Sequence, residues 1–232
     1  MIIDSHTHVV KLGDTLHSEK DLLASMKEAS IDYSMVIADC TGSGGFRTDK
    51  IVEICEENPQ LKAIGCVEYK TLDDNQIQDL IQYLKDKKIW GIKFYPGYED
   101  FYPLDEKLFP IYEACQEMGK PVVFHTGVLL AGSTGFLKQI HPLNVDDVAT
   151  KFPKLKIVMA HFGSPWIIDA AAVMLKNENV YVDLSGYFTE FSTITQKDRD
   201  AFVSDVSYLK EYVGSFKKCL FGTDWPLYSQ KE

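Results

Sequence analysis

Basic side chains are in the minority in this sequence of 232 residues, with 24 Lys and Arg against 34 Asp and Glu and a formal net charge of −10. Nucleic acids and anionic membranes do not attract an acidic protein at long range, so we expect neither as a partner. No apolar run approaches the roughly 18 residues of a spanning helix, and polar residues begin at Asp4, before a cleavable signal could form. These absences do not by themselves choose a substrate, because a pocket can be locally positive. The oligomeric state stays open, a homo-oligomer included.

Closely spaced cysteines are also missing. No Cys-x-x-Cys pair occurs, so the sequence offers no thiolate motif for a metal ion. Scattered cysteines in odd number predict free thiols in a reducing compartment, and we expect a cytoplasmic protein. The five are Cys40, Cys55, Cys66, Cys115 and Cys219.

A glycine-rich phosphate loop is the third absence. An open, doubly wound α/β sheet normally carries such a loop after its first strand. Here the first apolar run leads into His-Thr-His, and the glycines of "TGSGG" (41–45) are not followed by Lys-Ser or Lys-Thr. The sequence therefore disfavours an open nucleotide-binding sheet.

Short apolar runs alternate with amphipathic stretches along the chain. The apolar runs have the composition of strands buried on both faces; they are 1–6, 33–39, 61–69, 90–96, 121–127, 155–163, 179–186 and 219–226. The amphipathic stretches predict helices at 18–30, 73–88, 104–119, 144–153, 165–177 and 197–214. Eight strands alternating with helices predict a (β/α)8 TIM barrel, as a single domain over residues 1–232.

The last helix of such a barrel is absent from the sequence. Only eight residues follow Asp224, whereas an average helix has about 11. We expect the natural chain to continue beyond residue 232. The alternative is a barrel left open at one seam.

Four of the six histidines fall at the ends of predicted strands. His6 and His8 end the first strand, His125 the fifth and His161 the sixth, while Asp224 ends the eighth. Residues two apart on a strand point to the same side, so His6 and His8 can reach one metal ion. A lone His or Asp at such a place would be a hydrogen-bonded rim residue or a turn former. Because all strand ends of a barrel meet at one rim, the set as a whole predicts a metal site.

The predicted ligands are imidazole nitrogens and a carboxylate, without a thiolate. This donor set suits Zn²⁺ first, with Mn²⁺, Fe²⁺ and Co²⁺ as alternatives.

The ordered set His-x-His, His, His, Asp resembles the amidohydrolase superfamily. More narrowly, the sequence is similar to the amidohydrolase 2 branch, the predicted metal-dependent hydrolases of the TIM-barrel fold. The motifs that carry this resemblance are "DSHTHV", "VVFHTG", "HPLNVDDVATKFPKLKIVMAHFGSP" and "LFGTDWP". It covers nearly the whole chain, and the family's terminal helix is the part that is lacking.

The resemblance implies a role for each residue of the set. His6, His8 and His125 would hold the ion, and Asp224 would complete the site. His161 would bind a second ion or, as this branch implies, polarise or orient the substrate. Asp224 would take a proton from water whose pKa the ion lowers and pass it to the leaving group. His161 would donate a hydrogen bond to the developing oxyanion.

Three further side chains are candidates for substrate binding. Lys93 lies in an apolar strand sequence, where lysine is unusual. It would be carboxylated between two ions, as in binuclear members of the superfamily, or bind a substrate carboxylate, or extend to the rim with a structural role. The one-metal rule of the branch implies an unmodified Lys93 and a single ion. Tyr95 would share its face and line the pocket. Arg47 would meet an anionic substrate or begin a solvated helix.

The resemblance implies a metal-dependent hydrolase of a small molecule, which attacks an amide, lactone or ester with metal-activated water. One alternative is a metal-dependent non-oxidative decarboxylase or hydratase of a small carboxylic acid. Another is a non-catalytic metal-binding barrel, against which the intact ligand set argues.

Overall fold

Eight parallel strands form one sheet in a computed structural model that describes residues 1–187 and 194–231. Each strand lies where the sequence predicts one, and chain neighbours in the sheet pair in parallel. The strands are β1 (Ile3–Thr7), β4 (Tyr33–Ile37), β5 (Leu61–Cys66), β6 (Ile92–Phe94), β7 (Pro121–Phe124), β8 (Lys156–Met159), β9 (Val180–Asp183) and β10 (Cys219–Leu220). Two further strands, β2 (Val10–Leu12) and β3 (Thr15–His17), form a separate antiparallel hairpin.

Backbone hydrogen bonds join the first strand to the last. The amide of Ser5 donates to the carbonyl of Phe221, the amide of Asp224 to that of His6, and the amide of His8 to that of Trp225, each at 2.8 Å. The sheet therefore curves into a barrel, and the predicted TIM-barrel fold is confirmed.

Helices follow the strands on the outside of the barrel. They are α1 (Glu19–Ala29), α2 (Thr48–Glu57), α3 (Asp74–Lys85), α4 (Phe109–Met118), α5 (Leu143–Lys151), α6 (Ile167–Lys176) and α7 (Gln196–Val213). Local chemistry sets several ends: Ser18 forms a capping box with Asp21 at the start of α1, and Gly119 ends α4 in the left-handed conformation. Helix α2 and the hairpin are absent from the prediction, because their apolar patterns are short and interrupted by polar residues.

The main core lies between the outer face of the sheet and the helices. Val36, Ile92 and Ile157 from the strands and Leu22 and Met174 from the helices are fully buried there. A smaller cluster of Val123, Val158 and Ala160 forms separately. Lys93 pairs in register with Val123, and Val123 with Val158. Since paired residues of parallel strands share a face, Lys93 points to the same side of the sheet as this small cluster, the interior of the barrel.

One pair of cysteines corrects the sequence prediction. Cys40 and Cys66 form a disulfide, with Cα atoms 6.3 Å apart, so the expectation of free thiols is wrong for them. Cys55, Cys115 and Cys219 are free, as expected. The two cysteines stand at the carboxyl ends of the neighbouring strands β4 and β5. The predicted barrel implies that these strands are adjacent, but not that the two sulfur atoms approach each other.

Two further observations concern helices. In the described part of the chain after β10, residues 221–231 contain no helix. None of the described helices is both long enough and apolar enough to cross a membrane.

Candidate active site

Two imidazoles face each other at the carboxyl end of β1. The Nε2 atoms of His6 and His8 are 3.2 Å apart. Asp224, which follows β10, places its Oδ1 atom 3.6 Å from Nε2 of His6 and 3.4 Å from Nε2 of His8. Closure of the barrel thus brings together three predicted site residues from opposite ends of the sequence.

Three histidines of the site, His6, His8 and His125, each use one ring nitrogen for a hydrogen bond within the protein. Nδ1 of His6 donates to Oδ2 of Asp183 at 2.9 Å, and Nδ1 of His8 donates to the carbonyl of Ile37 at 3.1 Å. His125 forms a hydrogen bond with the backbone of Val128, while its Nε2 atom is buried and has no hydrogen-bond partner within residues 1–187 and 194–231. A donor on Nδ1 leaves the lone pair on Nε2 free, which is the usual arrangement of metal-binding histidines.

These residues fit a divalent ion. Two ligand atoms at about 2.0–2.1 Å from one tetrahedral ion stand about 3.3–3.4 Å apart. The separations of 3.2–3.6 Å among the nitrogens of His6 and His8 and the carboxylate of Asp224 agree with that spacing. The partnerless Nε2 of His125 is a further buried donor atom that an ion would satisfy.

His125 and His161 approach this group from the ends of β7 and β8. The ring centroids of His125 and His161 are 4.8 Å apart, and so are those of His161 and His6. Nδ1 of His161 lies 3.2 Å from the hydroxyl of Ser185 and 3.9 Å from Oδ2 of Asp224. All five residues of the predicted set therefore gather at one rim.

The backbone at His161 and Asp224 is unusual. Both adopt positive φ, 60° and 64°, which is uncommon for residues other than glycine. Gly186 packs against both side chains: a Cβ atom there would lie 2.4 Å from Nδ1 of His161 and 2.9 Å from Oδ2 of Asp224. Only glycine permits this close approach.

Asp183 is a residue of the site that the sequence analysis missed. It ends β9, is buried, and accepts hydrogen bonds from His6, from the backbone amide of His161 at 3.1 Å, and from both the amide and the hydroxyl of Ser185. Burial alone would raise its pKa, but the imidazole of His6 and these hydrogen bonds outweigh burial and lower the pKa to about 2. Asp183 thus orients His6 as a charged acceptor behind it. An acid at the end of a predicted strand, in "VYVDLSG", is the signal that could have found it.

Burial keeps the imidazoles of His8, His125 and His161 neutral. It lowers the pKa of His8 to about 4, assisted by the neighbouring His6. It also lowers the pKa of His125 and of His161 well below the usual range, with Lys93 and the other histidines adding to the effect. Neutral imidazole is the form that binds a metal ion.

A cavity of about 400 Å³ opens over these residues. Its walls are largely apolar and aromatic, with Leu12, Leu129, Tyr98 and Pro226 among them. A pocket of this size and character suits a small organic ligand fixed by a few polar groups.

Lys93 and Tyr95 line the cavity, as the sequence predicts for a shared face. Lys93 is fully buried, and its Nζ atom has no hydrogen-bond partner among the described residues. Burial lowers the pKa of Lys93 from its ordinary 10.5 to about 8, although nearby carboxylates, Asp183 foremost, oppose the shift. The hydroxyl of Tyr95 donates to the carbonyl of Ala38 at 2.9 Å, so it supports the wall.

Arg47 lies elsewhere. It precedes the first residue of α2, and its guanidinium forms a two-pronged ion pair with Glu68, one contact measuring 2.8 Å. It is not among the residues that line the cavity. The structure thus brings Lys93 and Tyr95 to the site and leaves Arg47 at the start of a helix, which is the second of the two roles that its position in the sequence suggests.

A match to a family model identifies the family of the chain. Residues 3–232 match the model described as amidohydrolase, Amidohydro_2. The chain belongs to the amidohydrolase family. A comparison with curated proteins finds no match for this amidohydrolase.

Solved structures similar to this amidohydrolase share its barrel. An uncharacterised TIM-barrel protein from Bordetella bronchiseptica is 19% identical, with a TM-score of 0.75 over 99% of this chain and 88% of that one. A probable 2-pyrone-4,6-dicarboxylic acid hydrolase from Acinetobacter baumannii, with citric acid bound, is 15% identical, with a TM-score of 0.70 over 99% and 86%. A dihydroxybenzoic acid decarboxylase from a Polaromonas species, with bound manganese and the inhibitor 2-nitroresorcinol, is 16% identical, with a TM-score of 0.66 over 98% and 86%.

At these identities the neighbours establish the TIM-barrel fold. Family membership makes the chain an enzyme and supports a divalent metal ion as its cofactor. The alternative of a non-catalytic barrel is therefore not supported.

Proposed function

We propose that this amidohydrolase is a metal-dependent hydrolase that cleaves an amide, lactone or ester bond of a small molecule. The observation that carries the proposal is the group of His6, His8 and Asp224, whose ligand atoms converge beside an apolar cavity. His125 would contribute its free Nε2 atom to the same ion. A bound divalent ion would lower the pKa of water and polarise the bond under attack.

Asp224 is the proton-transfer group in this proposal. Its carboxylate lies next to the two imidazoles and lines the cavity, so it can accept a proton from attacking water and deliver it to the leaving group. The left-handed backbone of Asp224 and the packing of Gly186 against its carboxylate hold that carboxylate beside the imidazoles.

His161 polarises the substrate. Its ring lines the cavity beside Asp224, and burial keeps it neutral. A neutral imidazole that donates a hydrogen bond to the oxygen of the bond under attack would stabilise the charge that develops there.

Lys93 binds a carboxylate of the substrate. The buried ammonium group of Lys93 lies 5.1 Å from the ring centroid of Tyr95 but has no hydrogen-bond partner among the described residues. An anionic group in the cavity would satisfy its hydrogen-bonding demand. Tyr95 forms part of the same wall. In this proposal Lys93 is not carboxylated and the site holds one ion. We propose Zn²⁺ as that ion from the donor set. Mn²⁺, which three of the similar solved structures hold, is the first alternative.

Non-oxidative decarboxylation of a small carboxylic acid is the second candidate. The observation that favours it is the same unpaired ammonium group in a cavity with aromatic walls, together with neighbours that include decarboxylases of aromatic acids. In that reaction Asp224 would transfer the proton to carbon.

The test compares two substrates on one metal-loaded preparation. We expect turnover of 2-pyrone-4,6-dicarboxylate or related lactones, with oxygen from ¹⁸O-labelled water appearing in the product. Release of carbon dioxide from 2,6-dihydroxybenzoate, without incorporation of label, would instead support the decarboxylase. Protein that binds neither Zn²⁺ nor Mn²⁺ would contradict both.

A further inference from the structure

Asp4 is a buried carboxylate with four neutral hydrogen-bond donors around it. Its Oδ1 atom accepts from the backbone amide of His6 at 3.1 Å and from that of Thr223 at 3.0 Å. Its Oδ2 atom accepts from the hydroxyl of Thr223 at 2.6 Å and from the side-chain amide of Gln230 at 2.8 Å. The carboxylate thus connects two segments that lie at opposite ends of the sequence.

Both segments carry residues of the candidate metal site. Asp4 is two residues before His6 on β1, and Thr223 immediately precedes Asp224. The hydroxyl of Thr223 also accepts a hydrogen bond from the backbone amide of Trp225 at 3.2 Å. The turn in which Asp224 adopts positive φ is therefore fixed on both sides of that residue, and Asp4 holds the turn against β1.

Closure of the barrel does not by itself require a carboxylate here. The backbone bonds from Ser5, His8 and Asp224 already join β1 to the segment after β10. Burying a carboxylate is costly, and neutral donors compensate only when several converge on it. The bonds of Asp4 instead help to set the separation of 3.4–3.6 Å between the carboxylate of Asp224 and the two imidazoles.

We propose that Asp4 is a positioning residue for metal binding. It acts through its bonds to His6 and Thr223, which set the distance between the imidazoles of β1 and the carboxylate of Asp224. An ion held by His6, His8 and Asp224 would join the same two segments, so the bonds of Asp4 lower the cost of bringing the ligands together. The inference rests on the proposed metal site and adds a residue that does not touch the ion.

The test measures the affinity of the metal-free full chain for Co²⁺. The visible absorption spectrum of the bound Co²⁺ also reports the geometry of its ligands. Asp4→Asn loses acceptor capacity while keeping the shape of the side chain. We expect the dissociation constant to rise about 10- to 100-fold, the usual effect of losing a partner behind a metal ligand. Thr223→Val, which replaces the hydroxyl with a methyl group of similar size, should also weaken binding.

Two controls separate positioning from general stability. Thr223→Ser restores the hydroxyl, and we expect it to bind Co²⁺ nearly as tightly as the wild type. Ile111→Val removes a methylene from a fully buried side chain on α4 and should lower the stability to unfolding without changing the Co²⁺ affinity. If Asp4→Asn does not fold, the two Thr223 variants and Ile111→Val decide the question.

Undiminished Co²⁺ affinity in Asp4→Asn and Thr223→Val would overturn the role of Asp4. An equal loss in Thr223→Ser and Thr223→Val would overturn it as well, because the hydroxyl would then be irrelevant. Wild-type protein that does not bind Co²⁺ would instead contradict the proposed metal site itself.

Discussion

The two sides of the cavity differ in how their polar atoms are satisfied. On the seam side, which we define as Asp4, His6, His8 and Asp224, the carboxylate of Asp4 and the Nδ1 atoms of both imidazoles have partners within the protein. On the far side, which we define as Lys93, His125 and His161, the Nζ atom of Lys93 and the Nε2 atom of His125 are buried and have no hydrogen-bond partner in the described part of the chain. The seam side can therefore hold its geometry before a ligand arrives. The far side offers unmet donors and acceptors that an ion or a substrate would satisfy.

The largest effect is expected on the seam side. His8→Ala removes one of two imidazoles whose Nε2 atoms face each other, so we expect loss of metal binding and of activity. Elemental analysis of purified protein measures the first and turnover the second. His141→Ala is the matched control, because His141 lies in a loop and pairs with Asp169 at 3.8 Å. A His8→Ala enzyme that keeps a full complement of metal would contradict the ligand assignment.

The second largest effect distinguishes metal binding from proton transfer on the seam side. Asp224→Asn keeps the shape of the side chain but removes the base, and we expect turnover to fall by about 10² to 10⁴. Metal content and turnover are measured on the same preparation, with Asp32→Asn as an exposed control. Near-normal activity with bound metal would show that Asp224 does not transfer the proton.

The third effect tests the far side. We expect His161→Asn to retain the metal ion and to lose about 10² to 10³ in turnover, since it removes stabilisation of the developing charge. Loss of the ion in this variant would make His161 a ligand, and the single-ion proposal with a polarising His161 would then be wrong.

The smallest expected effect is the pH dependence of carboxylate binding by Lys93. Because burial lowers its pKa to about 8, the ammonium form is present below that pH and is lost above it. Affinity for a carboxylate such as 2,6-dihydroxybenzoate should therefore be highest below pH 8 and decline above it. Lys93→Met should weaken binding about tenfold or more at pH 7 and abolish this dependence. Calorimetric titration from pH 6 to pH 9 measures both, and an unchanged alkaline decline in the variant would assign it to another group.

Much of the candidate site was predictable because it depends on positions along single strands. The two-residue spacing of His6 and His8 and the placement of His125, His161 and Asp224 at strand ends require only the strand periodicity and the common rim of a barrel. The shared face of Lys93 and Tyr95 follows from the same periodicity. Contacts between different elements were not predictable in this way, so the bonds that Asp4 makes to Thr223 and Gln230 were missed. Asp183 stands at a strand end like the predicted residues, and the same signal could have found it.

The sequence by itself determined the eight strands, the barrel they predict and the residues that line its rim, because hydrophobic periodicity and strand ends are local properties of the chain. Only the tertiary structure decided which partner each side chain meets. The adjacency of β4 and β5 pairs Cys40 with Cys66, and the packing around α2 pairs Arg47 with Glu68. The meeting of β1, β9 and the segment after β10 gives His6 its carboxylate and brings Asp224 to the imidazoles. These pairings join residues far apart in the sequence, and their distances are set by how the barrel closes.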